Sequence, residues 1–180
     1  MKRLFVNCLI VCVGMFFIAG SLFAQGNANY VGAKKCAMCH RGEKKGKVFE
    51  IWEATKHASA YKTLATPAAK EVAKKANVSG DPQKSAACLV CHVTGHGKPE
   101  TAFVKGFMVE DGVQCEACHG AGSNYQKMSI MKDKKQFLAN GGVLPTEKEC
   151  KTCHNEKSPT YKAFDWAKYY KQIEHHVPKQ

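Results

Sequence analysis

Four short clusters of cysteine and histidine are the residues of this 180-residue chain best suited to chemistry. In each cluster two cysteines are separated by two residues, and a histidine follows at once. In chain order they are the first motif (Cys36, Cys39, His40), the second motif (Cys88, Cys91, His92), the third motif (Cys115, Cys118, His119) and the fourth motif (Cys150, Cys153, His154). Of the ten cysteines, only Cys8 and Cys12 lie outside these motifs.

This spacing is the attachment signature of c-type haem. Two intervening residues form one helical turn, which brings both thiols to the vinyl groups of the porphyrin, and the adjacent histidine then lies under the ring as an iron ligand. On this geometry only the two central residues of each motif are free to vary. Zinc ribbons, redox dithiols and disulfide frameworks also use paired cysteines, but none of them requires histidine after every pair. We therefore predict four covalently bound haem c groups.

The N-terminal segment has the layout of a secretory signal peptide. Lys2 and Arg3 precede an apolar run that ends near Phe23, and Ala24 is a candidate cleavage position. The alternative is a retained membrane anchor, because the run approaches the length that spans a bilayer. We predict that residues 1–24 are removed and that residues 25–180 form a single tetrahaem domain in the periplasm or an equivalent compartment.

The formal net charge of +12 usually suggests nucleic acid or an anionic membrane as a partner. Loss of residues 1–24 removes Lys2 and Arg3 and lowers this charge to +10. Two propionates on each of four haems would lower it further to about +2. We therefore predict no nucleic-acid partner, although transient membrane association stays open.

Helical patterns dominate the segments between the motifs. We predict a helix from Lys47 to Leu64 that Pro67 stops, a solvated helix over residues 70–77, and a helical tail over residues 161–177. Residues 101–113 alternate weakly and predict a short hairpin. The expected fold is mainly α, irregular, and organised around its cofactors with few or no strands.

Longer stretches around the motifs resemble the tetrahaem cytochrome c-554 family of ammonia-oxidising bacteria. They are GAKKCAMCH, WEATKHASAYKTL, CLVCHVTGHG, GVQCEACHGAGSNY and FDWAKYYKQIEH, and together they cover most of the mature chain. The resemblance implies that His57 ligates the third haem opposite His119. It also implies that His175 ligates the fourth haem opposite His154, with His176 as its neighbour, and that the second haem, on His92, has an open iron position.

The chain departs from this family at the first haem. The family takes its distal ligand from a histidine ten residues after that of the third motif, and this chain has Ser129 there. Three alternatives are open: Met128 or Met131 ligates the iron, His96 ligates it, or the iron is open. His96 could instead act as a proton donor beside the second haem.

These features predict a carrier that moves electrons between redox proteins. By resemblance, the donor would be a hydroxylamine-oxidoreductase-like octahaem enzyme, and a membrane or periplasmic protein would be the acceptor. An open iron suggests a second function, the reduction of nitric oxide or another small nitrogen oxide. A third hypothesis is a subunit of an extracellular haem filament. The sequence leaves open whether the chain is also an enzyme.

Overall fold

A computed structural model describes residues 27–178 of the chain. The predicted signal peptide, residues 1–24, lies outside the described residues, so its removal stays a prediction. No helix within residues 27–178 is long and apolar enough to cross a membrane.

The described part of the chain consists of short helices joined by loops and turns. The α-helices are α1 (Ala33–His40), α2 (Val48–Glu53), α3 (Ala60–Thr63), α4 (Pro67–Lys75), α5 (Ala86–His92), α6 (Cys115–His119), α7 (Met128–Met131), α8 (Lys134–Ala139), α9 (Glu147–Lys151) and α10 (Trp166–Tyr170). Single 3-10 turns lie at Glu43–Lys45, Pro82–Lys84, Glu100–Ala102, Val109–Asp111 and Gly122–Asn124. The prediction of a mainly helical fold is confirmed.

The hairpin predicted for residues 101–113 is wrong. The only β pairing in the described residues is an isolated bridge between Tyr30 and Phe103. Two 3-10 turns occupy this stretch instead. Phe103 and Phe107 are four residues apart, and both rings pack against Tyr30, with centroids 5.4 and 6.3 Å from its ring. The aromatic residues of this stretch therefore belong to a cluster built on turns, and they do not follow the two-residue alternation of a strand.

The helix predicted from Lys47 to Leu64 is interrupted after Glu53. The Thr55 hydroxyl donates to the carbonyl of Trp52 at 2.7 Å and accepts from the backbone N–H of His57 at 3.2 Å. Such local side-chain bonds compete with the helical ladder and end the helix. Pro67 was expected only to stop a helix, but it is also the first residue of α4, where its missing N–H costs nothing.

The hydrophobic core is small, and every buried residue precedes residue 143. Its buried apolar members are Val31, Ala33, Phe49, Leu64, Ala73, Val93, Tyr125 and Phe137. Residues 143–178, which carry the fourth motif, contain no buried residue. The tail predicted as a helix over residues 161–177 is helical only at Trp166–Tyr170.

Candidate haem sites

Each motif lies on a helical turn that aligns its two cysteines and its histidine. The first, second and third motifs fall within α1, α5 and α6, and the fourth begins in α9 and continues into the following turn. Residues three and four apart share one face of a helix, so the two thiols and the imidazole of each motif point the same way. None of the eight motif cysteines forms a disulfide. The described residues contain no cluster of three or more side chains placed as a zinc ribbon requires.

Three of the histidines are fixed in the form that binds iron. In each, Nδ1 donates to a backbone carbonyl, which leaves the lone pair of Nε2 available to a metal. The bonds join His92 to Ala60 at 2.8 Å, His119 to Val143 at 3.0 Å and His175 to Ile173 at 2.8 Å.

Burial favours the neutral imidazole at four positions. It is the main cause that lowers the pKa of His40, His57, His119 and His154 below the ordinary histidine value. Neighbouring imidazoles add to this effect, since His154 lowers the pKa of His57 and His175 lowers that of His119. Because only the neutral ring can ligate a metal, these environments fit a haem iron.

Two pairs of imidazoles face each other. The ring centroids of His57 and His154 are 6.0 Å apart, and those of His119 and His175 are 5.9 Å apart. Two imidazoles on opposite sides of one metal ion, with metal–nitrogen distances of about 2.0–2.1 Å, have centroids separated by about 6 Å. Both pairs therefore have the spacing of the two axial ligands of a single iron.

The histidine neighbours in the structure differ from the axial pairs that the family resemblance implies, and the axial pairs stay a prediction. His57 faces the histidine of the fourth motif, and His175 faces that of the third. The path of the backbone explains this arrangement. The carbonyl of His57 accepts from the N–H of Val113 at 3.0 Å, which fixes the position of that loop. The C-terminal tail packs against Gly46 near the first motif, which carries His175 to the third motif.

Within the described residues no imidazole ring contacts that of His92 or His40, although His175 is near enough to lower the pKa of His40. The Nδ1 atom of His40 is buried without a hydrogen-bond partner. His96 is half-buried, and its ring contacts no other imidazole within the described residues. Met128 and Met131 are 64% and 36% exposed. The sixth ligand of the first haem stays a prediction with its three alternatives.

His176 is placed differently from its neighbour His175. Its Nε2 is 3.0 Å from a carboxylate oxygen of Glu174, and its side chain is exposed. The atom that would bind iron is thus engaged elsewhere, as expected for a neighbour of the ligand.

Contacts between cysteines place the four motifs in a spatial order that differs from the sequence order. Cys36 lies close to Cys115, which brings the first motif next to the third. Cys118 lies near Cys150 and Cys153, which brings the third next to the fourth. Cys91 lies close to Cys153, which brings the fourth next to the second. The order is first, third, fourth, second, with the first and second motifs at the two ends.

Glu116 is a structural residue that the sequence analysis missed, since it occupies a motif position that was expected to be free to vary. Its side chain is 3% exposed and accepts from three backbone N–H groups, those of Val31 at 2.8 Å, Gly32 at 2.7 Å and Gly122 at 2.7 Å. Burial raises the pKa of this carboxyl, and the three hydrogen bonds oppose that rise. Glu116 thereby ties the third motif to the segment that leads into the first.

Gln114 makes a parallel connection and was also missed. It is 1% exposed, accepts from the N–H of Ala33 at 2.7 Å and donates to the carbonyl of Met108 at 2.8 Å.

Two glycines permit the close approaches that position the paired histidines. At Gly112, φ is +71°, and a Cβ atom would lie 2.7 Å from the carbonyl oxygen of His57. At Gly120, φ is +80°, and a Cβ atom would lie 2.6 Å from the carbonyl oxygen of Gly141. Both the left-handed backbone and the short contacts require glycine. Substitution at either position would displace a ligand loop.

Comparison with known proteins agrees with these observations. The family model described as "Cytochrome c554 and c-prime" matches residues 35–120, which include the first three motifs. The cytochrome c-554 of Nitrosomonas europaea is 27% identical over 173 residues, which cover 84% of this chain and 68% of that protein. No solved structure matches the chain. The motifs and these two matches show that the chain is similar to cytochromes c554, with the family model covering the first three motifs.

Proposed function

We propose that the chain is an exported tetrahaem electron carrier that passes electrons between redox proteins. The observation that carries the proposal is the pair of imidazole couples at 6.0 and 5.9 Å. Two imidazoles occupy both axial positions of an iron and leave no position for substrate, which suits electron transfer. Haem c supplies one-electron redox chemistry when bound.

The chain's own residues hold these sites in place. Backbone carbonyls of Ala60, Val143 and Ile173 fix three ring orientations, so that little rearrangement accompanies a change of charge. The consecutive contacts between motifs support a continuous route, because neighbouring cysteines bring neighbouring cofactors together. The partners that we propose, from family resemblance, are a hydroxylamine-oxidoreductase-like octahaem donor and a periplasmic or membrane acceptor.

The test of this function is the number and spin state of the haems in the mature holoprotein. We expect four haems per chain by pyridine haemochrome assay, and at least two low-spin ferric signals by electron paramagnetic resonance. In H57G the low-spin signal of the fourth site should convert to high spin, and added imidazole should restore it. In H175G the third site should respond in the same way.

The matched control is H176G, which removes a neighbouring imidazole whose Nε2 contacts Glu174. It should leave all signals unchanged. Fewer than two low-spin haems in the unaltered protein would contradict the proposal. A spectral change in H176G equal to that in H175G would contradict the ligand assignment.

A second candidate function is the reduction of nitric oxide or another small nitrogen oxide at an open iron. It is favoured at the second motif, because within residues 27–178 no imidazole ring contacts that of His92. We expect a high-spin ferric signal that nitric oxide removes. A protein with four low-spin haems would have no site for this reaction.

A further inference from the structure

The surroundings of the first motif differ in charge from those of the other three. Residues 34–47 contain six basic side chains and one acidic side chain. The corresponding stretch of the second motif, residues 81–100, contains two of each sign, and that of the fourth, residues 147–157, contains three of each. Residues 110–124, around the third motif, contain three acidic side chains and no basic one. Excess positive charge is thus concentrated at one motif.

Most of these basic groups are open to solvent. We call them the first-motif basic surface, which consists of Lys34, Lys35, Arg41, Lys44, Lys45 and Lys47. All but the half-buried Lys45 are exposed, and only Lys47 forms an ion pair, with Glu43. The guanidinium of Arg41 lies 4.4 Å from the ring centroid of Phe49, which holds it in place.

An exposed apolar side chain lies among these charges. Met38 is 76% exposed, and it follows Lys34 by four residues on α1. This spacing puts both on the side of the helix opposite the face formed by Cys36, Cys39 and His40. An exposed methionine within a charged rim has the composition of a protein–protein interface, in which methionine and arginine are enriched.

The position of this surface gives it access to the electron route. The first motif is one end of the order first, third, fourth, second, so a partner docked there approaches a terminal site. Because the propionates bring the net charge of the mature protein near +2, long-range attraction depends on where the charge is concentrated more than on its sum.

We propose that the first-motif basic surface docks an acidic redox protein, which exchanges electrons with the first site. The proposal rests on the function proposed above and names the chemistry of one partner. In each productive encounter one electron passes between the two proteins, so that one is oxidised as the other is reduced, and no covalent bond changes.

The experiment measures the rate at which a reduced acidic flavodoxin transfers electrons to the oxidised holoprotein in stopped flow. The test variant is K34E/K35E/K44E. The matched control is K70E/K74E/K75E, which makes the same change in net charge at exposed positions of α4. At about 10 mM ionic strength, where charges act over about 30 Å, the test variant should react about tenfold more slowly than the unaltered protein. The control should change the rate by about twofold or less.

Several outcomes would overturn the docking surface. They are an unchanged rate in the test variant, equal slowing in both variants, or slowing that persists at about 1 M salt, where charges are screened. Vesicles of phosphatidylglycerol at about 0.15 M salt provide a further test. If the unaltered protein and the control bind them and the test variant does not, the surface binds an anionic membrane instead of a protein. If the unaltered protein accepts electrons neither from the flavodoxin nor from dithionite, the proposed function is wrong. If it accepts them and the variants do not differ, only the docking surface fails.

Discussion

The two parts of the described chain hold their haem sites by different means. Residues 27–142 contain every buried residue, and buried side chains of Gln114 and Glu116 connect the first and third motifs. Residues 143–178 contain no buried residue, yet they supply the fourth motif and His175. The N-terminal part is held by protein contacts as well as by cofactors, whereas the C-terminal part depends on cofactors for its apolar core.

This difference shows that the segment supplying candidate iron ligands need not be the segment that contains the buried protein core. The C-terminal part contacts the rest through two imidazole pairs, His154 with His57 and His175 with His119. It is also joined by the backbone N–H of Val143, which donates to the carbonyl of His119 at 2.9 Å, and by the tail at Gly46. Under the proposed ligation, the two iron sites would add covalently held links between the two parts.

The largest effect expected is that of removing the cofactors altogether. A chain expressed without haem attachment should show no cooperative unfolding transition, because eight buried apolar side chains are too few to stabilise a domain of this length. Hydrogen exchange should show no protection in residues 143–178 and only weak protection in residues 27–142. An apoprotein with the same denaturation midpoint as the holoprotein would show that neither part depends on the cofactors for its stability.

Replacement of Glu116 should have the next largest effect, and it should act within the N-terminal part. In E116A three backbone N–H groups lose their acceptor, which should lower the free energy of unfolding by about 3 kcal/mol or more. E116Q keeps one oxygen acceptor and should lose less. Guanidinium denaturation followed by haem absorbance measures both. The control E110Q, at an exposed position near the third motif, should be neutral. A neutral E116A would show that the carboxylate is not structural.

Thr146 provides the smallest effect, confined to the C-terminal part. It begins α9 with a capping box, in which its N–H donates to Glu149 at 2.7 Å and its hydroxyl accepts from Lys148 at 3.3 Å. T146A should cost about 1 kcal/mol of local stability. It should raise hydrogen exchange around the fourth motif and leave residues 27–142 unchanged. Increased exchange at α1 or α6 would mean that the two parts unfold together.

The sequence predicted the four motifs and the mainly helical fold because these depend on local spacing, and His57 and His175 were expected as ligands from the family resemblance. Sequence spacing could not predict which imidazoles lie together, since that depends on how the loop at His57 and the tail at His175 cross the molecule.

Other misses have local physical reasons. Pro67 ends one element and begins the next, and the apolar pattern alone does not distinguish these roles. The break after Glu53 depends on the Thr55 hydroxyl, whose hydrogen bonds hydropathy does not register. Glu116 occupies a motif position whose side chain has no part in haem attachment, so its three distant backbone donors became visible only in the folded chain.

The position of His175 has a consequence for biogenesis. The third motif is complete by residue 119, but its opposing imidazole arrives 56 residues later in the chain. If His175 ligates the third haem as proposed, cofactor attachment at that motif can precede closure of its second axial position. A chain truncated before residue 175 would then carry all four attachment motifs and an iron open to added ligands at the third site. A low-spin signal from that site would report that the tail is present and in place.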